Sequence, residues 1–187
     1  MFSARRLHHT YEDYLAFEAA SPTKHEYCDG EIYAMAGGTP EHGALIAAAT
    51  VLLRQQLPAK CNVLSSDVKI RIQASDLSTY PDVSVVCGRL ERDERDATAI
   101  TNPTLLVEVT SPSSKDYDRG EKLSHYKQLP SLRVVIIVAY DAKRITVVER
   151  GSTGWSLTEF RSGEVAQVTE PPLQLAVDEL YAVLDGL

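Results

Sequence analysis

Apolar and polar positions along the chain repeat with two different periods, and the switches between them mark the elements. In "TYEDYLAFEAA" the apolar positions Tyr11, Tyr14, Leu15 and Phe17 recur at helical spacing, with Thr10 placed as an N-cap. "KHEYCDGEIYAMAG" reads as a hairpin, two short strands around Asp29-Gly30, the dipeptide that a tight primed turn favours. "PEHGALIAAATVLLRQQLP" predicts a helix that starts after Pro40 and stops at Pro58. Strand candidates follow in "NVLSS", "VKIRIQ" and "PDVSVVC". After them comes a loop of alternating charge, "GRLERDERDATAITNP", expected to be solvated. "TLLVEVT" predicts a strand, "DYDRGEKLSHYKQL" a helix, and "RVVIIVAY" and "RITVVER" two further strands. "GWSLTEF" and a closing helix, "VDELYAVL", complete the pattern.

The helix between "LLVEVT" and "VVIIVA" is a crossover, and crossovers of this kind join parallel neighbours. Both strands are nearly continuous apolar runs, as strands covered on both faces must be. The fold class is therefore α/β (α+β), with a mixed central sheet flanked by helices.

One residue breaks the apolar run. Strand alternation puts Leu106, Glu108 and Thr110 on one face and Leu105, Val107 and Val109 on the other, so Glu108 brings a carboxylate into a buried strand. In "YPDVSVV", Asp82 opens the run and shares a face with Ser84, and the proline before it fits only a strand start or edge. Two carboxylates from neighbouring strands can meet at one end of a sheet, the usual way to hold a hard divalent cation such as magnesium. Taken alone, a glutamate in an apolar strand is more often an edge residue or one paired with an arginine. An aspartate after proline more often only starts a strand. The following helix adds weight to the first reading. At ~100° per residue, Lys122, Tyr126 and Leu129 fall on one face, the face that packs on the sheet, with Arg119 and Leu123 on its flank. A lysine there either snorkels at the border of the apolar stripe or reaches a polar site. Two acids and an inward lysine suit phosphodiester hydrolysis, in which the acids hold a metal and the cation stabilises charge on the phosphoryl oxygens.

Composition narrows the classes. A chain of 187 residues, 44% hydrophobic and 24% charged, fits one globular domain over 1–187. The formal net charge of −7 argues against a protein coated in nucleic acid but leaves room for an enzyme that collects acids for a metal. The N-terminal basic residues have no apolar run behind them, so no secretory signal is expected. "ALIAAATVLL" is too short to span a bilayer. The three cysteines, Cys28, Cys61 and Cys87, lie far apart, which suits reduced thiols in a cytoplasm better than a disulfide frame or a zinc site.

With these residues in view, "YPDVSVVC" and "NPTLLVEVTSPSSKDYDRGEKLSHYKQLPSL" resemble the Uma-two family of restriction-endonuclease-like proteins, within the PD-(D/E)xK nuclease superfamily. The resemblance extends to "HEYCDGEIYAMAGGTPEHGALI" and "GWSLTEF", and so covers most of the chain. In the superfamily's usual motif the acid and lysine lie two residues apart on one strand, a place that Thr110 occupies here. The resemblance implies that Lys122 of the helix takes over, with Lys115 as second choice. It also implies that Asp82 and Glu108 are the metal ligands and that the core is restriction-endonuclease-like. It matches Glu26 to a recurrent glutamate that could be a further acid, and His42 to a recurrent histidine. One departure is "SLRVVIIVA", where Val134 and Val135 stand in place of an acid and an aromatic.

The expected function is a metal-dependent endonuclease acting on DNA, with magnesium or manganese as cofactor, nucleic acid as partner and no membrane. The alternative is a catalytically silent module on a nuclease scaffold that binds nucleic acid or protein. A homodimer suits duplex cleavage by two sites related by a two-fold axis, although no motif points to one. A hydrolase using the serines of "SPSS" is set aside, because no nucleophile elbow is present and those serines fit a helix cap.

Overall fold

A computed structural model describes residues 8–35, 37–110 and 120–187. Local chemistry sets each end of the first elements. Helix α1 (Tyr11–Ala20) starts from a capping box: the Thr10 hydroxyl accepts from Asp13 N–H, and the Asp13 carboxylate accepts from Thr10 N–H. Strands β1 (His25–Cys28) and β2 (Glu31–Ala34) form the expected hairpin. Asp29 and Gly30 take positive φ of 44° and 85°, as a primed turn requires. Thr39 caps helix α2 (Pro40–Gln56), and Pro40 occupies the first turn, where its missing N–H costs nothing.

The remaining strands build two main sheets. In chain order they are β3 (Cys61–Ser65), β4 (Lys69–Ile72), β5 (Leu77–Thr79), β6 (Val83–Cys87), β7 (Ala99–Ile100) and β8 (Leu105–Val109), followed by helix α3 (Glu121–Tyr126). Then come β9 (Val134–Val138), β10 (Arg144–Gly151), β11 (Gly154–Arg161), β12 (Val165–Val168), β13 (Leu173–Ala176) and helix α4 (Val177–Tyr181). The larger sheet runs β11-β10-β9-β8-β6-β3, and the smaller runs β2-β1-β5-β4-β7. β8 and β9 are parallel, as the crossover predicts, and the other pairs of the larger sheet are antiparallel, so that sheet is mixed. The smaller sheet was not anticipated, because β5 and β7 are too short to show a period. The β12–β13 ribbon was missed for the same reason.

Each face of β8 joins a different core. Leu105, Val107 and Val109 pack with Leu45, Ala49, Leu52 and Leu53 of α2 and with Val177 and Leu180 of α4. Leu106 joins Leu123, Tyr126 and Leu129 from the α3 segment, together with Ile70, Ile72 and Leu77 of the smaller sheet. The apolar face of α3 thus ties the two sheets together. Each fully buried Leu or Ile contributes ~1.5–3 kcal/mol over leaving it in water. On the smaller sheet, Tyr11 and Tyr14 of α1 pack against Tyr27.

Two expectations need correction. The charged loop after β6 is not wholly solvated: Asp93 and Asp96 are buried, and Asp96 pairs with buried Lys69 of β4 at 2.6 Å. The charges alternate because some turn inward to neutralise Lys69 and cap the chain, while Arg92 and Arg95 face out. Nor are all three cysteines reduced. Cys61 and Cys87 are register partners across β3 and β6 and form a disulfide, whereas Cys28 is free. Strand register, not spacing in the chain, brings the two together.

The buried Lys69–Asp96 pair generates a stability prediction. Lys69→Met should cost about 3 kcal/mol at neutral pH, because it leaves a carboxylate buried without its cation. Burial pushes the Asp96 carboxyl up, but hydrogen bonds from Lys69 and Thr98 outweigh it and hold the group below the usual range. Its contribution is therefore present above the ordinary carboxylate pKa and lost as pH falls through the depressed value. Denaturant unfolding at neutral and acidic pH should show the deficit of the variant shrinking in acid. Equal stability at neutral pH would contradict the assignment.

Candidate active site at the end of β8

The end of β8 is where the two sheets and both principal helices converge. β6 and β8 are antiparallel with Val83 opposite Val107, so Asp82, one residue before β6, arrives beside the Glu108–Val109 end of β8. Val109 N–H donates to Asp82 Oδ2 at 2.7 Å. From the first turn of α2, His42 Nε2 lies 2.9 Å from the Val109 carbonyl and 3.5 Å from Asp82 Oδ2. A carbonyl only accepts, so Nε2 carries the proton. The hydrogen bond to Asp82 raises the His42 imidazole above its usual pKa, against the opposing effect of burial.

Glu108 stands at the same strand end and is only 4% exposed. Lys122 of α3, 6% exposed, places its Nζ 3.1 Å from Glu108 Oε1 and 3.2 Å from Glu26 Oε1. Tyr126, one helical turn after Lys122 and so on the same face, donates its hydroxyl to Glu108 Oε1. Thr79 of β5 donates to Glu26 Oε1. Burial, with the charge of Glu108 next, keeps the Tyr126 phenol far above its usual pKa, so it remains a donor. One ammonium therefore sits between two carboxylates drawn from two sheets, and a buried phenol fixes the orientation of one of them.

Five of the six candidate residues come together here: Glu26, His42, Asp82, Glu108 and Lys122. Lys115 lies outside the described residues. The buried lysine is not a snorkelling residue at the edge of a stripe. The two acids, expected as one pair, have separate partners: Asp82 turns to Val109 and His42, and Glu108 to Lys122 and Tyr126. Tyr126 was legible as a member of the inward face but not as a ligand of Glu108. Thr79 was hidden because β5 itself went unpredicted.

A hard cation suits this donor set, since Asp82 and Glu108 offer carboxylate oxygens at neighbouring strand ends. Among the described residues no three His, Cys, Asp or Glu side chains converge on one point. A cation here would be held by one or two carboxylates and not by an all-protein cage.

Comparison with known proteins shows the family. The model of the Uma2 family, described as "Putative restriction endonuclease", matches residues 11–178. The chain belongs to the Uma2 family. Its relatives include the uncharacterized protein slr1290 of Synechocystis sp., 36% identical over 172 residues that cover 91% of this chain and 90% of the relative. A second Synechocystis protein, the uncharacterized sll1609, is 29% identical over 161 residues, 85% of this chain and 90% of that one. The fold is that of a crystal structure described as "a putative nuclease belonging to DUF820" from Anabaena variabilis, with a TM-score of 0.73, 17% identity, and coverage of 92% and 97% of the two chains. This Uma2 protein thus has a nuclease-type fold, and none of its described helices is long and apolar enough to cross a membrane.

Removing the central cation exposes two carboxylates at once. Lys122→Met should lower stability by about 3–5 kcal/mol, and adding Glu108→Gln should recover part of that loss by removing one of the unpaired charges. Urea unfolding of the single and double variants measures it. A double variant less stable than Lys122→Met would show that the lysine does not neutralise Glu108.

Proposed function

We propose that the chain is a metal-dependent endonuclease that hydrolyses DNA phosphodiester bonds, acting as a single restriction-endonuclease-like domain. The observation that carries this reading is Lys122, buried between Glu108 and Glu26, where a stability role alone is hard to justify. In this reading Asp82 and Glu108 hold magnesium or manganese. The metal supplies water activation and charge neutralisation on the scissile phosphate when bound. Tyr126 keeps the Glu108 carboxylate in one orientation, and the Val109 N–H and His42 do the same for Asp82. The Lys122 ammonium stands ready to stabilise charge that builds on the phosphoryl oxygens, and Glu26 holds that ammonium in place.

A second reading has an observation of its own: Lys122 is already neutralised by two carboxylates, and net charge is −7. It makes the chain a catalytically silent module that binds nucleic acid or protein. A cytoplasmic setting belongs to the first reading, although the Cys61–Cys87 bond speaks against a strongly reducing compartment. The two readings separate in a DNA cleavage assay with magnesium or manganese. Wild type should cleave, and Asp82→Asn and Glu108→Gln, which keep side-chain size and hydrogen bonding, should lose at least ~100-fold, the scale expected when charge stabilisation at a reacting centre is removed. Cleavage that survives both substitutions would overturn the site, and no metal-stimulated cleavage of any nucleic acid would favour the silent module.

A further inference from the structure

The larger sheet ends on β11, and the bonds of β10 show which of its backbone groups face outward. Ala139 N–H donates to the Arg144 carbonyl at 3.0 Å, and Arg150 N–H donates to the Arg133 carbonyl at 2.8 Å. Even-numbered residues of β10 therefore turn their backbone groups towards β9. Because this direction alternates along an antiparallel strand, Ile145, Val147, Glu149 and Gly151 turn theirs towards β11. Their register partners there are Phe160, Thr158, Ser156 and Gly154. It follows that Trp155, Leu157, Glu159 and Arg161 point N–H and C=O away from the sheet.

Arg161 is closed off by the next turn: its N–H donates to Glu164 Oε2 at 2.6 Å, and its carbonyl accepts from Glu164 N–H at 2.9 Å. No described residue bonds the outward groups of Trp155, Leu157 or Glu159. Leu157, in the middle of this open stretch, is 61% exposed. A long open edge with a central apolar side chain is a template for another strand.

We propose that β11 is the docking edge for a second copy of this chain, paired antiparallel about a two-fold axis through Leu157. The register follows from the bonding. Outward groups must meet outward groups, and with Arg161 closed only a Leu157-centred pairing engages all the open residues. Leu157 then meets its symmetry mate, and Trp155 meets Glu159 of the second copy, each pair bonding in both directions. Charge agrees with this register. Glu159 faces an indole and not another carboxylate, while Arg161 at 3.3 Å and Arg144 at 3.8 Å within its own chain balance it. On the opposite face Ser156 meets Thr158, a polar pair that suits an antiparallel ladder. A register shifted to centre on Thr158 would set Trp155 against the closed Arg161 and leave its outward groups unpaired. The product is one continuous sheet across two protomers, an isologous interface of the commonest kind. This inference does not rest on the nuclease reading.

Sedimentation velocity over a dilution series of the full chain tests it, with Leu157→Pro and Leu157→Lys alongside. Proline at 157 removes only an outward N–H, which an edge strand tolerates, and lysine places two ammonium groups on the axis. The wild type should be a dimer, and both variants should be monomers with unchanged far-ultraviolet circular dichroism. If the proline variant fails to fold, the lysine variant decides alone. A monomeric wild type at every concentration, or a folded variant that stays dimeric, would overturn the proposal. A monomer that instead pairs β11 with a peptide of another protein would overturn it equally.

Discussion

A single ammonium group, that of Lys122, sits in the protein interior between a carboxylate from each sheet. Glu108 comes from the end of β8 in the larger sheet, and Glu26 from β1 in the smaller one. Desolvating three charged groups costs several kcal/mol for each, and mutual attraction at about 3 Å repays this only when further hydrogen bonds complete the network. Tyr126 and Thr79 supply such bonds. Well-packed apolar residues of similar volume would hold the sheets together as well or better. The arrangement fits the chemistry proposed for it, while the apolar face of α3 contributes the stability.

That constraint explains the neighbouring architecture. Helix α3 must offer Lys122 and Tyr126 from one face while Leu123 and Leu129 fill the space between the sheets. The chain must pass from β5 in the smaller sheet to β6 in the larger one through Tyr80 and Pro81, which brings Thr79 to Glu26 and Asp82 to Val109 within four residues of each other. On the far face of the larger sheet, α2 packs through Leu45 and Ala49 while its first turn brings His42 to Asp82. Two groups of polar contacts at the end of β8 are thus joined by one peptide unit, between Glu108 and Val109.

Much of this was legible in the sequence, for physical reasons that differ from residue to residue. Glu108 stood out because its neighbours in the strand are apolar, and Lys122 because helical spacing placed it on the face that holds Tyr126 and Leu129. The parallel β8–β9 pair followed from the helix between two apolar runs. Glu26 and His42 had no such signal, and only the resemblance to Uma2 proteins pointed to them. What stayed hidden was set by register and by length. The disulfide depends on Cys61 lying opposite Cys87 in an antiparallel pair, and the buried Asp96 on a loop folding back to Lys69. β5, with three residues, is too short to carry a period, so Thr79 and the sheet-to-sheet crossing were invisible.

The charged cluster at the end of β8 is proposed as a site for a hard cation and a phosphate. Calorimetric titration of magnesium and of manganese into the wild type, Asp82→Ala and Glu108→Ala, with and without a DNA oligonucleotide, tests this most directly. The account predicts binding by the wild type that strengthens when DNA supplies phosphate oxygens and that disappears in both variants. Binding that is unchanged in both variants, or absent from the wild type even with DNA present, would contradict it.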